Sequence, residues 1–264
     1  MAEKLRVGIV DYLNSKPLAW SFLTGEFDGR FEPIFESPAR VASLLAAGQI
    51  DIGLIPSIEY QRIQGLSILP RLCVGAEREV RSVILVSSVD VRAIRTLALD
   101  QNSRTSAALV RIILGDRYGL EVETAPAPPD LASMLAANDA ALLIGDPALR
   151  VDLGGMEVLD LAREWRLLTG HPFVFAVWAV RGGVVTDGLA ELFEHSLAAG
   201  LDNIETLVAG AADDLGIDRE SIREYLTENL HFRLGEAELA GLTEYYHRAH
   251  QHGLIDSVEP LRLL

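Results

Sequence analysis

The sequence predicts an α/β protein of two lobes hinged about a ligand cleft, and three observations carry the prediction. Short apolar runs rich in β-branched residues alternate with longer stretches of helical period. That alternation breaks near Ser87, and a fresh βαβ series starts at Thr96. A continuous apolar run over residues 173–180 follows, suited to a buried strand that carries the chain back to its first lobe.

Taken in order, residues 6–10 form the first strand, 17–24 a helix with Pro17 in its first turn, and 31–36 the second strand. A helix opens at Pro38 and stops at Gly48, ahead of a third strand over 50–55. Residues 57–62 read as a short helix, 67–74 as a strand, and 81–88 as the strand that opens with Ser82. The second series runs strand 96–99, helix 105–114, strand 121–124, a proline-rich turn 126–129, helix 131–136 and strand 140–144. Beyond Thr186 everything reads helical, with candidates at 189–199, 204–211, 222–226 and 236–250. Lobe one is therefore expected to hold residues 1–87 and 176–264, and lobe two residues 88–175. Two crossings make a hinge, and a cleft between hinged α/β lobes favours small-molecule sites. Such a layout, mainly parallel strands in two lobes, resembles the type II periplasmic-binding-protein fold.

Composition narrows the partners. At 264 residues each lobe is long enough to bury a core of its own. Acids outnumber bases 38 to 23, so the net charge of −15 repels nucleic acid and anionic lipid at long range. No stretch of about eighteen residues lacks charge, so no membrane span is expected. The N-terminus runs within a few residues into the first strand, too short a lead for a secretory signal, and the expected compartment is the cytoplasm. Cys73, the single cysteine, lies in an apolar run and reads as an inert buried thiol. His247, His250 and His252 cluster on a polar helix without a His-Glu-x-x-His pattern, so no metal site is expected. Phosphate-loop, nucleophile-elbow and dinucleotide signatures are missing, and no cofactor is expected.

An anionic ligand on so acidic a protein needs local donors. The run Gln101-Asn102-Ser103-Arg104-Thr105-Ser106 follows a strand and opens a helix, where N–H groups and hydroxyls can hold a carboxylate. Its plain alternative is an ordinary cap. Asn14 and Ser15 stand at the first strand–helix junction, facing the cleft or capping the helix. Ser82 begins the crossing strand, and Gly145-Asp146-Pro147 follows the last strand of lobe two; both can point into the cleft or serve the backbone alone.

Seven short motifs stand in order: Arg6-Val7-Gly8, Tyr12-Leu13-Asn14-Ser15-Lys16-Pro17-Leu18, Asp51-Ile52-Gly53, Ser103-Arg104-Thr105-Ser106, Pro128-Pro129-Asp130-Leu131, Leu143-Ile144-Gly145-Asp146 and Pro172-Phe173-Val174-Phe175-Ala176-Val177-Trp178. With them the chain resembles the chorismate dehydratases of the futalosine route to menaquinone, over residues 6–250. The resemblance implies a hydro-lyase that turns chorismate into 3-[(1-carboxyvinyl)oxy]benzoate and water without a cofactor. It implies that Ser103, Arg104, Thr105 and Ser106, with Gly145 and Asp146, bind the dicarboxylate, and that Asn14 and Ser82 stand beside the reacting ring. An amide cannot take the proton at neutral pH, so the base is either the enolpyruvyl carboxylate of the substrate or a carboxylate such as Asp146. Asp11, Glu59 and His171 receive no role. The rival readings are the related lyase of the same route that makes 1,4-dihydroxy-6-naphthoate, and a solute-binding protein without catalysis.

Overall fold

In the computed structural model, which describes residues 4–264, strand β1 (Leu5–Val10) leads through a 3-10 turn at Leu13–Ser15 into the one-turn helix α1 (Trp20–Leu23). Strand β2 (Phe31–Glu36), helix α2 (Pro38–Ala46), strand β3 (Ile52–Pro56), helix α3 (Glu59–Arg62) and strand β4 (Leu66–Ala76) follow. The chain then crosses over. It builds β5 (Val83–Ser87), β6 (Thr96–Asp100), α4 (Thr105–Tyr118), β7 (Glu123–Ala127), α5 (Leu131–Ala137), β8 (Ala140–Ile144), α6 (Gly145–Arg150), β9 (Glu157–Asp160) and α7 (Leu161–Thr169). Strand β10 (Phe173–Arg181) returns, and α8 (Leu189–Asp202), α9 (Ile204–Leu215), α10 (Arg219–Glu224), β11 (His231–Leu234) and α11 (Glu236–Gln251) complete the order. A π-helical segment, Tyr225–Asn229, joins α10 to β11.

Two sheets result, ordered β11-β4-β10-β3-β1-β2 and β7-β6-β8-β5-β9. Strands β1, β2 and β3 are mutually parallel, as are β6, β7 and β8, while β10 and β5 run antiparallel to their neighbours. Both sheets are thus more mixed than the expected mainly parallel pattern. The reason is directional: parallel strands aim their carboxyl ends at the cleft, and a strand arriving from the other lobe enters at the cleft and runs away from it.

Several boundaries differ from the sequence reading. Residues 83–87 pair with β8 and β9, so the crossing falls between Ala76 and Val83, not after Ser87, and the return precedes Phe173 rather than Phe175. Residues 126 and 127, expected in a turn, belong to β7; Pro126 is tolerated because β7 is an edge strand with no partner on its outer side. Gly145–Arg150 is a helical turn rather than a loop, and the four-residue strands β9 and β11 escaped a pattern search. The expectation of separate cores also changes. One apolar cluster runs from Val7 in the first sheet to Leu109 in α4, and a smaller cluster lies around Ile84, Val86 and Met134. The bridge is aromatic: Trp165 of α7 meets Phe173 at 5.4 Å and Tyr245 of α11 at 6.1 Å between centroids. Among the described residues no helix is long and apolar enough to cross a membrane.

Asp160 pins the first crossing. One carboxylate oxygen accepts the N–H groups of Val80 and Arg81 at 2.9 and 2.7 Å, and the other caps α7 through Ala162 and Arg163 at 3.0 and 3.1 Å. Burial nevertheless pushes its carboxyl up to about 6 from an ordinary 3.8. A raised carboxyl binds its proton more tightly in the folded state, so its contribution to stability falls as pH rises from about 4 to about 6. Denaturant melts of wild type and Asp160→Asn should therefore differ in slope over that window, wild type losing stability relative to the variant as pH rises. Parallel pH profiles would show that the four N–H donors hold the carboxyl at its ordinary value.

Candidate active site between the lobes

A cavity lies where the strands of both sheets end, the place between two α/β lobes where small-molecule sites form. The carboxyl ends of β1, β3, β6 and β8 reach it through Val10, Leu54, Asn102 and Ile144, and the crossing strands through Val83 and Phe175. Its walls are largely apolar. The polar lining is Tyr12, Asn14, Ser82 and the stretch Asn102, Ser103, Arg104, Thr105 and Ser106, with Gly145 beside them. Topology thus brings seven of the eight residues singled out in the sequence to one cavity. None of the lining residues is a carboxylate, an imidazole or an amine.

At the first junction the two candidates separate. The Ser15 hydroxyl bonds the carbonyls of Val10 and Tyr12 and serves the turn, leaving Asn14 to line the cavity. Ser82 is fully buried and its backbone is tied on both sides: its N–H donates to Val80 and its carbonyl accepts from Gly145, both at 2.7 Å. Its hydroxyl accepts from Tyr225 at 2.8 Å.

Helix α4 starts within the run singled out in the sequence, and two of its side chains are engaged elsewhere. Thr105 and Ser106 are its first two residues, so their N–H groups have no partner within the helix. Ser103 Oγ takes the Ala107 N–H at 3.2 Å. Arg104, however, turns its guanidinium away to Glu59 at 3.0 Å and Ser43 Oγ at 3.0 Å, on the opposite lobe. The Thr105 hydroxyl likewise accepts the Ile58 N–H at 3.2 Å. Both side chains tie the lobes together; Thr105 can offer a ligand its backbone N–H, while Arg104 is committed to Glu59.

Asp146 is not among the lining residues. Its carboxylate accepts the Leu13 N–H at 2.9 Å across the lobe junction, and burial raises its pKa. Gly145, at φ +63°, lets the Tyr12 ring close over it; a Cβ there would lie 2.6 Å from that ring. The Tyr12 phenol is pushed well up by burial, then by Asp100, Asp146 and Asp11, and so stays neutral. Asp11, Glu59 and His171 do not line the cavity. His252 pairs with Asp116 at 2.8 Å, and no metal-holding group of three or more His, Cys, Asp or Glu side chains occurs among the described residues. Sequence reasoning missed Tyr12, although it lay inside a quoted motif, and Tyr225, for which no local signal exists.

Two sheets, two crossings and a cavity shared by both lobes define a periplasmic-binding-protein-like fold. Solved structures agree: an Archaeoglobus fulgidus protein superposes with a TM-score of 0.80 at 19% identity, covering 96% of this chain and 99% of that one. The periplasmic aliphatic sulphonate binding protein of Escherichia coli gives 0.67 at 17% identity, covering 97% and 95%. At these identities the likeness speaks for the fold alone. Residues 5–251 match the menaquinone biosynthesis family, and the chain belongs to it. A chorismate dehydratase from Thermus thermophilus is 29% identical over 268 residues, which span 90% of this chain and 93% of that relative.

The α4 start makes two opposed demands on substitution. Thr105→Ala leaves the buried Ile58 N–H without its partner and should lower unfolding free energy by about 1–3 kcal/mol, a loss readable in denaturant melts. Ser106→Asp should abolish binding of an anionic ligand, because it sets a like charge at the helix start, where the favourable helix dipole offsets part of the cost of placing a carboxylate at a buried position. Normal chorismate binding by a folded Ser106→Asp protein, measured by calorimetry, would place the carboxylate elsewhere.

Proposed function

We propose that this protein is a hydro-lyase that converts chorismate into 3-[(1-carboxyvinyl)oxy]benzoate and water. The observation that carries the reading is the pairing of menaquinone-family membership with a cavity whose polar lining, Arg104 apart, consists only of neutral donors and acceptors. The relative named above bears the same activity in its name.

The chemistry suits such a site. The C3 proton of chorismate is vinylogous to the ring carboxylate, so its removal delocalises charge into that carboxylate. The C4 hydroxyl then departs and the ring becomes aromatic. Thr105 and Ser106 N–H groups at the start of α4 would hold the ring carboxylate and stabilise the charge as it grows. Asn14 and Ser82 would orient the ring between apolar walls that exclude water.

No lining side chain is a strong base, and Asp146 is engaged with Leu13 outside the cavity lining. Of the two candidate bases, this lining favours the enolpyruvyl carboxylate carried by the substrate itself over Asp146. Its placement beside C3 turns proton transfer into an intramolecular step.

Mass analysis after mixing the protein with chorismate should find loss of one water, in the presence of a chelator as in its absence. The cyclic futalosine derivative should remain unchanged; the reverse outcome would select the dihydroxynaphthoate-forming lyase, and binding without turnover a solute-binding protein. Asn14→Ala and Ser82→Ala should each cut kcat about a hundredfold, the scale of losing one placed donor, in proteins that still fold, Ser82→Ala losing about 1–3 kcal/mol of stability because the buried Tyr225 hydroxyl loses its acceptor. Normal turnover in both would remove them from the site.

A further inference from the structure

Tyr225 lies outside the cavity lining, yet its hydroxyl reaches the back of it. The residue is 1% exposed and opens the π-helical segment between α10 and β11. Such segments interrupt α-helical hydrogen bonding and recur at functional positions. The phenol donates to Ser82 Oγ at 2.8 Å, over a sequence separation of 143 residues. Burial pushes the phenol up, and the neighbouring Ser82 and Asn14 side chains partly offset that.

Counting protons fixes the direction of this contact. A phenol has one hydrogen, and here it goes to Ser82. Ser82 Oγ, already an acceptor, keeps its own hydrogen, and the open space it lines is the cavity. The same C-terminal segment grips the neighbouring residue: Arg81, held at φ +62°, donates to the Ser221 carbonyl at 3.5 Å and pairs with Glu224 at 3.2 Å. A side chain with a Cβ is rarely found in that left-handed region, so the backbone beside Ser82 is held there by its surroundings.

We propose that Tyr225 is a positioning residue, which makes Ser82 a hydrogen-bond donor to an oxygen of the substrate. The inference rests on the dehydratase reading and deepens it. Ser82 keeps its own hydrogen for the substrate, and its donor strength grows with the hydrogen bond it receives.

The test is a double-mutant cycle on chorismate turnover with Tyr225→Phe, Ser82→Ala and the pair. Tyr225→Phe alone should lower kcat about ten- to a hundredfold and leave KM within about threefold; in the Ser82→Ala background the same change should cost less than about twofold. Equal losses in both backgrounds, or a rise in KM with kcat intact, would assign Tyr225 to packing and overturn the inference. Should the Phe variant fail to fold, fluorotyrosine at position 225 keeps the hydroxyl and the shape. Turnover should then rise with the acidity of the ring, and an unchanged kcat would overturn the inference. A wild-type protein inert toward chorismate would remove the dehydratase reading and this inference with it, whereas an active wild type with additive losses removes the inference alone.

Discussion

The pairing of Arg104 with Glu59 governs what the cavity can recognise. Arg104 is the one cation in the lining, and Glu59, 3% exposed, takes its guanidinium at 3.0 Å while Arg62 holds the other oxygen at 2.8 Å. Glu59 is buried and would keep only Arg62 if Arg104 let go, so the guanidinium is held by Glu59 and Ser43 rather than offered to a ligand. On the dehydratase reading, recognition of a carboxylate would fall to backbone N–H groups and hydroxyls. These act at hydrogen-bond range and lose little to a net charge of −15 whose field acts over the whole molecule. A site of neutral donors discriminates by placement, because a misplaced oxygen gains nothing from them.

Placement in turn follows from strand direction. Every polar group in the lining stands at or just beyond a strand end that faces the cleft. Rigid sheets therefore fix the donors of each lobe, and the two crossings fix the lobes to each other. Ser82 is where these constraints meet. It belongs to the crossing itself, with its N–H, carbonyl and hydroxyl all bonded and Asp160 holding the two residues before it.

What was legible in the sequence was local. Asn14 and the run from Ser103 to Ser106 stand out because strand, turn and helix start are contiguous, and the periodicity that defines them is readable without a fold. The partners of Arg104 and Thr105 lie 45 to 65 residues away in the other lobe, so their roles as struts were invisible, and the same residues read as ligands. Asp146 read as a turn residue because the helical turn it opens is only six residues long. Residues 83–87 illustrate a different limit. Their apolar pattern announces a buried strand, but nothing local tells which sheet will accept it, and that choice moved the lobe boundary. Tyr225 reaches the site through folding of the far end of the chain, where no pattern of period or spacing points to Ser82.

Closure and chemistry share one loop. Lobe two closes on Tyr12 and Leu13, through the Gly145 backbone under the Tyr12 ring and the Asp146 carboxylate on the Leu13 N–H, and Asn14 is the next residue. Gly145 also gives its N–H to the Ser82 carbonyl at 2.7 Å. One glycine thus touches both the Tyr12 ring and Ser82, and its missing side chain is what lets the ring lie so close. Binding proteins of this fold use closure to trap a ligand, whose affinity is set by the difference between open and closed states. On the dehydratase reading, energy released by closing on the substrate would go into orienting the reacting ring beside Asn14 and Ser82 rather than into tighter ground-state binding, which is the physical difference between holding a molecule and transforming it.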